Sequence, residues 1–445
     1  MLRRREEELT GFGRQPKVPG HERRSEDLEA LTKDAVLSRG LGRAYGDSAL
    51  PPPGVTEVAG TTLADRILAF DPATGVLRAE AGLSLRELNR IFLPRGFFTP
   101  VSPGTAFVTL GGMVASDVHG KNHHVEGTFG AHVRRLKLRV ADGRIVECSR
   151  EEEPELFRAT LGGMGLTGHV LEVEVTLKRI PSPWILQESE RVPNIEAYLE
   201  ALAKAAATWP MTVGWIDCLS QGEKLGRGIL YKGRWAEPHE APKHLPRPAF
   251  SVSVPFDFPP FVLGPWSVRL FNAQQYWRHG AKIRTQIVSP WAYFYPLDRI
   301  RAFNRMYGRR GLTQHQAVLP KEAGPGAVRR FLELLTARGG ASLLCVIKDC
   351  GAEGEGMLSF PRPGISIALD IAVRDDTQAL IDALNEFVIK EGGRIYLAKD
   401  AFTRPEHYRA MDGERLARFE AVRRRWDPDR KLRSAQSVRL FGDPA

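Results

Sequence analysis

The chain has 445 residues, of which 42% are hydrophobic and 26% are charged, as in ordinary folded proteins. This composition excludes collagen-like, coiled-coil and wholly disordered proteins, and the length predicts two or three domains. The formal net charge of +10 favours anionic partners, which include phosphate-bearing ligands, nucleic acid and acidic membrane surfaces.

The N-terminal segment and the cysteines are typical of a cytoplasmic protein. The first eight residues, MLRRREEE, are mostly charged and no apolar segment follows them, so we expect no secretory signal peptide. No apolar run approaches the roughly 18 residues of a membrane span. The cysteines form no C-x-x-C pair, which favours reduced thiols over a zinc site; they are Cys148, Cys218, Cys345 and Cys350.

Short strands and helices alternate through the first 177 residues. Apolar segments predict strands at residues 35–38, 76–79, 136–140 and 170–177. Helices are predicted at 83–92, with Ser84 as N-cap, and at 153–160. The proline-broken stretch 180–183 is a candidate domain boundary.

The second part of the chain contains longer helices. They are predicted at residues 195–208, 324–339, 377–391 and 405–425, the last one basic and ended at Asp427-Pro428. Strands are predicted at 342–348, 365–373 and 394–398, whereas 213–295 mixes short strands with proline-rich loops.

Three glycine-rich loops lie among the first 170 residues. Residues 40–46 read G-x-G-x-x-x-G, but the triple proline at 51–53 excludes the helix that a Rossmann dinucleotide site requires, so this loop is a phosphate cradle or a plain tight turn. The second cluster spans 104–112, and residues 111–117 are predicted to begin a helix with free N–H groups. The third spans 162–168. Three such loops joined by strands indicate a large phosphorylated cofactor wrapped by backbone amides.

The histidines at 119, 123 and 124 do not form a metal motif. His119 and His123 are four residues apart, but Gly120 and Asn122 argue against a helix that would hold both on one face, and there is no His-Glu-x-x-His. We therefore expect no metal, and either a hydrogen-bonding or catalytic histidine beside a cofactor or a structural one.

The motifs at these loops resemble one flavoenzyme family. Leu9-Thr-Gly-Phe-Gly-Arg14, Arg39-Gly-Leu-Gly-Arg-Ala-Tyr-Gly-Asp47 and Asp117-Val-His-Gly-Lys-Asn-His-His124 look like the decaprenylphosphoryl-ribose 2′-oxidases, within the vanillyl-alcohol-oxidase group of FAD enzymes. The resemblance continues through residues 161–168, 295–298, 358–361 and 396–400, and is weakest between about 190 and 290.

The resemblance implies an α+β, two-domain FAD-binding (PCMH-type) oxidoreductase. Residues 1–181 would form the FAD domain, 182–393 a substrate domain built on an antiparallel sheet, and 394–445 a segment that completes the FAD domain. FAD would be noncovalent, because the first loop offers Arg43 where some relatives attach the flavin through a histidine.

The resemblance also implies the site residues. Lys399, which alone would pass for a solvated lysine at a strand end, would lie beside the flavin and the substrate hydroxyl as base or hydrogen-bond donor. His119 and Tyr45 would assist on the cofactor side. The cofactor contacts would be Arg39, Gly40, Leu41, Gly42, Arg43, Ala44, Tyr45, Gly46, Asp47, Gly104, Thr109, Leu110, Gly111, Gly112, Ser116, Asp117, Val118, His119 and Tyr396. The substrate contacts would be Gln314, Gln316, Lys348, Ser366 and Ala368, with Lys348 suited to a phosphate.

Three positions depart from the family pattern. Ala368 stands where the mycobacterial enzymes carry a cysteine that certain nitroaromatic inhibitors trap covalently. Ser366 replaces an asparagine of the pocket, and His315 lies between the two glutamines where a tyrosine is usual. These changes bear on the sugar and lipid more than on the reaction.

The implied activity is oxidation of the 2′-hydroxyl of a polyprenyl-phosphoryl-β-D-ribose to the 2′-keto sugar, followed by a separate NADH-dependent keto-reductase. This is the first half of epimerisation to an arabinose donor for cell-envelope glycans. The alternative is an FAD oxidase of a soluble sugar alcohol or aldonolactone. Residues 416–426, with Arg418 and Arg423–Arg425, would either rest on anionic lipid at the inner membrane face or form a solvated charged face. Nucleic-acid binding is not expected, because no recognised motif occurs and the basic residues look dispersed.

Overall fold

The computed structural model describes residues 8–248 and 250–445. Within these ranges the chain forms a five-stranded sheet, an eight-stranded sheet and four small sheets of two or three strands. No helix in the described part of the chain has the length and apolar character needed to cross a membrane. The first seven residues, for which no signal peptide is expected, lie outside the described ranges.

The strands are short in the first 180 residues and longer afterwards. In chain order they are β1 Glu8–Thr10, β2 Lys17–Pro19, β3 His21–Arg24, β4 Ser38–Arg39, β5 Glu57–Gly60, β6 Ile67–Asp71, β7 Val76–Glu80, β8 Phe97–Phe98, β9 Val133–Arg139, β10 Ile145–Ser149, β11 His169–Thr176, β12 Lys178–Arg179, β13 Ile185–Val192, β14 Met211–Ile216, β15 Gly228–Trp235, β16 Val252–Ser253, β17 Ile283–Val288, β18 Ile300–Arg301, β19 Leu312–Pro320, β20 Cys345–Cys350, β21 Gly364–Ala372 and β22 Arg394–Ile395.

The helices follow the same trend. They are α1 Leu28–Leu31, α2 Leu85–Phe92, α3 Leu110–Ala115, α4 His123–Glu126, α5 Pro154–Thr160, α6 Ile195–Ala206, α7 Pro265–Arg278, α8 Pro290–Phe294, α9 Gly326–Ala337, α10 Thr377–Lys390, α11 Pro405–Trp426 and α12 Ala435–Phe441.

The five-stranded sheet has the order β10-β9-β11-β7-β6, with all neighbours antiparallel. Along β11 the side chains alternate between the core and a more exposed face, so Val173 and Val175 are fully buried. Helix α2 buries Leu85, Leu88 and Phe92 in the same core. The glycine loops emerge at the border of this core.

The eight-stranded sheet has the order β17-β13-β15-β14-β20-β21-β19-β22 and is antiparallel throughout. Every residue of β19 is buried, because both faces of the strand are covered. On one face His315 bonds Asn385 of α10 and stacks on Phe331 of α9. On the other face Gln314 and Gln316 reach Tyr45 and His119. The candidate site therefore lies between this sheet and the glycine loops.

Most predicted elements are present. The helices predicted at 83–92, 153–160, 195–208, 324–339 and 377–391 begin and end within two residues of the predicted positions. Ser84 caps α2 by accepting a hydrogen bond from the Glu87 N–H. Apart from the two strands treated next, the predicted strands are also found, with ends shifted by up to three residues.

Two predicted strands are much shorter than expected. Of residues 35–38 only the last joins a strand, because the segment first aligns with β5 where the Ala59 N–H reaches the Leu37 carbonyl. Of residues 394–398 only the first two pair with β19, and the chain then turns. The Lys399 N–H donates to the Tyr396 carbonyl at 2.9 Å, so Lys399 lies on a turn and not on a strand.

Three arginines of the basic segment 416–426 are exposed, namely Arg418, Arg424 and Arg425, and only Arg423 departs from the expected lipid-facing or solvated charged face. Leu416, Phe419 and Trp426 pack inward, and Arg423 is completely buried. The Arg423 guanidinium bonds the Asp443 carboxylate and the Leu432 carbonyl, so it cannot reach a headgroup. For Arg423 the membrane prediction is wrong, because the helix uses this position to anchor the C-terminal segment.

Removing the buried guanidinium should destabilise the protein. The substitution Arg423→Ala leaves the buried Asp443 carboxylate with only Arg430, 3.7 Å away, and we expect a loss of about 3 kcal/mol in the free energy of unfolding. The exposed neighbour Arg424 is the control, since Arg424→Ala should change stability by less than about 0.5 kcal/mol. Urea unfolding followed by circular dichroism measures both, and equal effects would contradict the assigned role.

Candidate active site

The first glycine loop, residues 40–47, is held by the N-terminal segment. The N–H groups of Phe12 and Gly13 donate to the carbonyls of Ala44 and Tyr45 at 2.8 and 3.0 Å. The Gly13 carbonyl accepts in turn from the Leu312 N–H at the start of β19, at 2.8 Å. A Cβ on Gly13 would lie 2.3 Å from the Leu312 carbonyl oxygen, so only glycine permits this approach. The loop is thereby placed against the eight-stranded sheet.

Arg39 supports the loop from below. Its guanidinium donates to Glu22 and to the carbonyls of Ala49 and Thr10 at 2.7–3.0 Å. Gly42 has a φ of +63°, and a Cβ there would lie 2.3 Å from the same guanidinium. Because its donors are used within the protein, Arg39 acts in shaping the loop.

The outer side of the loop is suited to an anion. No backbone N–H of residues 41–44 donates a hydrogen bond to another described residue. Arg43 lies over the rings of Phe12 and Phe107, and its buried Nε has no partner within the described part of the chain. Burial lowers the pKa of Arg43, partly offset by Asp298. Consecutive free amides beside an incompletely paired cation fit the pyrophosphate of FAD.

The second glycine cluster contributes space and not helix N–H groups. Thr109 caps α3, and the N–H groups of Leu110, Gly111, Gly112 and Met113 all donate to protein acceptors. The prediction of free N–H groups at this helix start is therefore wrong. The carbonyls of Leu83 and Ala81, in the preceding segment of the chain, accept hydrogen bonds from Leu110 and Gly111. Gly104 and Gly112 are exposed, and a Cβ on Gly104 would meet open space. Gly40 closes the gap between the loops, packing against Thr109.

Two predicted cofactor carboxylates are structural ties. Asp47 accepts two hydrogen bonds from Arg439, which also bonds Asp400. Asp117 accepts from the Gly130 N–H and from Ser359. Burial raises the pKa of both carboxyls, and their hydrogen bonds oppose the shift. Both side chains are buried and bonded within the protein.

His119 is the centre of one polar cluster. Its Nδ1 lies 2.7 Å from Lys348 Nζ, and its Nε2 lies 3.2 Å from Gln316 Nε2, whose amide also contacts Ser366. Burial and the Lys348 charge lower the pKa of His119 well below its usual value, so the ring is neutral. With Nδ1 accepting from the ammonium, the neutral ring carries its proton on Nε2, and that N–H is paired when the Gln316 amide turns its oxygen to the ring. Tyr396 packs against the ring.

Tyr396 and Val118 hold the preceding segment in place. The Tyr396 hydroxyl donates to the Ser116 carbonyl at 2.9 Å. Val118 is buried and exchanges backbone hydrogen bonds with Met113 and Phe129. The His119 ring is therefore carried on a rigid turn.

Lys399 is the centre of a second cluster. Its ammonium lies 4.2 Å from the centroid of the Tyr45 ring. Gln314 donates to the Tyr45 hydroxyl at 3.3 Å and to the Asp370 carboxylate. Burial lowers the pKa of Lys399 to about 8, while nearby Asp370 opposes part of the shift. The carboxyl pKa of Asp370 is raised by burial.

Strand register brings the substrate-side residues together. Gln314 pairs with Asp370 and Gln316 with Ala368 between β19 and β21, while Lys348 of β20 pairs with Ser366. Opposed residues of antiparallel strands share a face, so these side chains point the same way. His315 lies on the opposite face, so the expectation that it alters the pocket is wrong.

Two residues of the site were missed. Asp370 follows Ser366 and Ala368 at a spacing of two along β21, and that alternation would have placed it on the same face. Lys121 of the quoted motif lies apart from these clusters; burial lowers its pKa to about 7, and its ammonium contacts the Tyr293 carbonyl. Tyr307, whose hydroxyl lies 3.4 Å from Asp370, has no local signal because it belongs to an irregular segment.

The neighbouring histidines serve other purposes. His123 accepts from the Gly351 N–H, and His124 contacts the Trp209 carbonyl. Within residues 8–248 and 250–445 no group of three or more His, Cys, Asp or Glu side chains could hold a metal ion. The described site consists of a glycine loop for an anionic cofactor, a polar cluster of His119 with Lys348 and Gln316, and a second cluster around Lys399.

Comparison with known proteins agrees with this chemistry. The family model of an FAD binding domain matches residues 30–149. Decaprenylphosphoryl-beta-D-ribose oxidase of Mycolicibacterium smegmatis is 31% identical over 416 residues, covering 91% of this chain and 89% of that protein. An uncharacterized protein from the mprA 5′ region of Streptomyces coelicolor is 29% identical, covering 80% of this chain and 100% of that protein. D-arabinono-1,4-lactone oxidase of Yarrowia lipolytica is 24% identical over 55% of this chain and 41% of its own length.

The first similarity spans nearly the whole of both chains, and the matched FAD domain contains both the free amides of residues 41–44 and the cap of α3. The expected α+β class and the FAD cofactor are confirmed. The chain belongs to the decaprenylphosphoryl-ribose oxidase family of FAD-dependent oxidoreductases.

Proposed function

We propose that this protein oxidises the 2′-hydroxyl of a polyprenyl-phosphoryl-β-D-ribose to the 2′-keto sugar. The product would be the intermediate in epimerisation to an arabinose donor for cell-envelope glycans. The similarity to the Mycolicibacterium oxidase supports the reaction class. The choice of a phosphate-bearing substrate rests on one observation, the environment of Lys348.

Lys348 is a buried cation without a carboxylate. Its side chain is 6% exposed, and its ammonium bonds only His119 and the Gly120 carbonyl within the described residues. Burial lowers its pKa, which shows that desolvation of the ammonium is not offset by a strong partner. A phosphate on the substrate would supply the missing negative charge. A neutral polyol or lactone would not.

Lys399 is placed to handle the hydroxyl proton. When bound, FAD supplies a two-electron acceptor for the hydride that leaves the carbinol carbon. The hydroxyl proton must go to a base at the same time, and the neutral Lys399 amine can accept it. The Tyr45 ring packs against that amine, and Gln314 links the Tyr45 hydroxyl to the Asp370 carboxylate. On the same face of the sheet, His119 and Gln316 present further hydrogen-bonding atoms.

Residues 1–181 with 394–445 would bind FAD noncovalently, and 182–393 would bind the substrate. A separate NADH-dependent keto-reductase would complete the epimerisation, and the enzyme would work in the cytoplasm at the inner membrane face. Arg43 supports noncovalent FAD, since the loop offers no histidine for a covalent bond.

Flavin absorbance tests the substrate. Without oxygen, a short-chain polyprenyl-phosphoryl ribose should bleach the visible flavin band. Lys348→Met should lower the affinity for that substrate by about tenfold or more. The similarity to a lactone oxidase motivates the alternative, in which a free polyol or aldonolactone bleaches the band. Bleaching by those compounds alone, unaffected by Lys348→Met, would replace the proposal.

The reaction should depend on pH through Lys399. Because the pKa of Lys399 is lowered to about 8, its neutral fraction grows as the pH rises through that value, and the rate of flavin bleaching should rise and then level off. Lys399→Arg keeps the charge at all pH values and should slow bleaching roughly 100-fold or more. The exposed Lys390→Arg on α10 is the control. An unchanged pH profile in Lys399→Arg would exclude Lys399 as the base.

Ala368 should make the protein insensitive to covalent nitroaromatic inhibitors. It faces the site opposite Gln316 and has no thiol to trap, and the four native cysteines are buried. Under turnover the intact mass of the wild-type protein should not change, whereas Ala368→Cys should gain the inhibitor mass. An adduct on the wild-type chain would contradict the placement.

A further inference from the structure

The positive charge of the protein is concentrated in one segment. Residues 241–310 contain eleven Lys or Arg and two acidic residues, Asp257 and Asp298, so they hold nine of the ten excess positive charges. The view of the basic residues as dispersed is therefore wrong. This segment spans the stretch between β15 and β19, which includes α7.

The same segment holds the exposed aromatic residues. Every exposed Phe or Trp among the described residues lies between 250 and 277, namely Phe250, Phe256, Phe261, Trp266, Phe271 and Trp277. The exposed large hydrophobic residues elsewhere are Leu, Ile or Val. An apolar concentration of this kind marks an interaction surface.

Helix α7 buries one face and exposes large apolar side chains on the other. Val268, Asn272 and Tyr276 are buried against the protein. On the other face Trp266, Leu270 and Trp277 are 83%, 72% and 61% exposed. These three, spaced by four and seven residues, lie above one another on the helix surface. We call them the α7 outer face; a surface helix in contact with water alone would be polar there.

Basic residues flank the α7 outer face. Arg269 and Arg278 are exposed on its two sides, and within the described residues neither forms an ion pair. By contrast, Asp257 forms an ion pair with Arg14, and Arg310 forms one with Asp375. Tryptophan and leucine between unpaired arginines form the pattern of a helix that lies in the interface of an anionic membrane.

The turn that leads into α7 packs against the candidate active site. The turn before α7 ends in Leu263, which packs with Tyr45, Phe303, Tyr307 and Leu312. Tyr45 and Tyr307 are the rings that contact Lys399 and Asp370. A membrane under α7 would thus lie beside the wall of the site.

We infer that the α7 outer face docks on an anionic lipid bilayer, with Trp266, Leu270 and Trp277 inserted and Arg269 and Arg278 on the headgroups. The inference deepens the proposed function, because a polyprenyl-linked substrate resides in a membrane. Docking itself requires no substrate, so the two can fail separately.

Co-sedimentation of the full-length FAD-loaded protein with vesicles tests the docking. Phosphatidylcholine vesicles containing phosphatidylglycerol should bind the protein, vesicles of phosphatidylcholine alone should bind it more weakly, and high salt should reduce binding. Trp266→Ser with Trp277→Ser should reduce binding about tenfold or more. The control Leu68→Ser with Ile145→Ser removes exposed apolar residues elsewhere and should leave it unchanged.

A second pair of variants separates local from overall charge. Arg269→Ser with Arg278→Ser should weaken binding to the anionic vesicles. Arg418→Ser with Arg424→Ser removes the same charge from the exposed side of α11 and should not. Flavin absorbance and thermal unfolding verify that each variant folds, and bleaching by a short-chain substrate without vesicles should persist in all.

Three results would overturn the inference. One is no binding to anionic vesicles, or binding that the tryptophan variants do not weaken. Another is a concentration-dependent dimer that these variants dissociate, which would assign the face to a second copy of the chain. The last is binding to single-stranded nucleic acid that the variants abolish while vesicle binding persists. Vesicle binding without bleaching of the flavin by the substrate would contradict the proposed function and leave the docking intact.

Discussion

The contact between the first glycine loop and the turn that carries Lys399 is the constraint on which the site depends. The Tyr45 N–H donates to the Ala398 carbonyl at 2.9 Å, and a Cβ on Gly46 would lie 1.9 Å from the Asp400 carbonyl oxygen. Arg439 binds Asp47 and Asp400 together from the C-terminal helix. A loop near the start of the chain and a turn near its end are thus joined by direct backbone contacts. The cofactor side and the proton-accepting side of the site consequently move as one unit.

Buried cations without matching carboxylates are the second feature of the site. Lys348 loses hydration on folding and receives a ring nitrogen and a carbonyl oxygen in exchange, and burial lowers its pKa. Arg43 repeats the pattern at the glycine loop. Desolvated cations are costly unless an anion completes them. These buried cations therefore lower the stability of the fold, and a bound phosphate-bearing ligand would offset that cost.

The division between inner and outer surfaces follows the same logic. Inside, cations face the glycine loop and the sheet; outside, the basic residues of 241–310 surround exposed aromatic rings. Helix α11, which contains six arginines, turns its apolar side and Arg423 inward and anchors the C-terminus. The number of arginines in a helix does not distinguish an anchoring helix from a docking helix. Which face is buried decides between an anchor and a docking surface.

The sequence by itself determined the local elements, the glycine loops and the family. Helix periods and caps are short-range, so α2, α6, α9 and α10 could be predicted from neighbouring residues alone. Tertiary structure decided which donors stay free: the N–H groups of α3 are used by Leu83 and Ala81, whereas those of 41–44 are not. It also placed Asp370 in the site, turned His315 away and buried Arg423. These outcomes depend on strand register and on contacts between segments far apart in the chain, which no local pattern encodes.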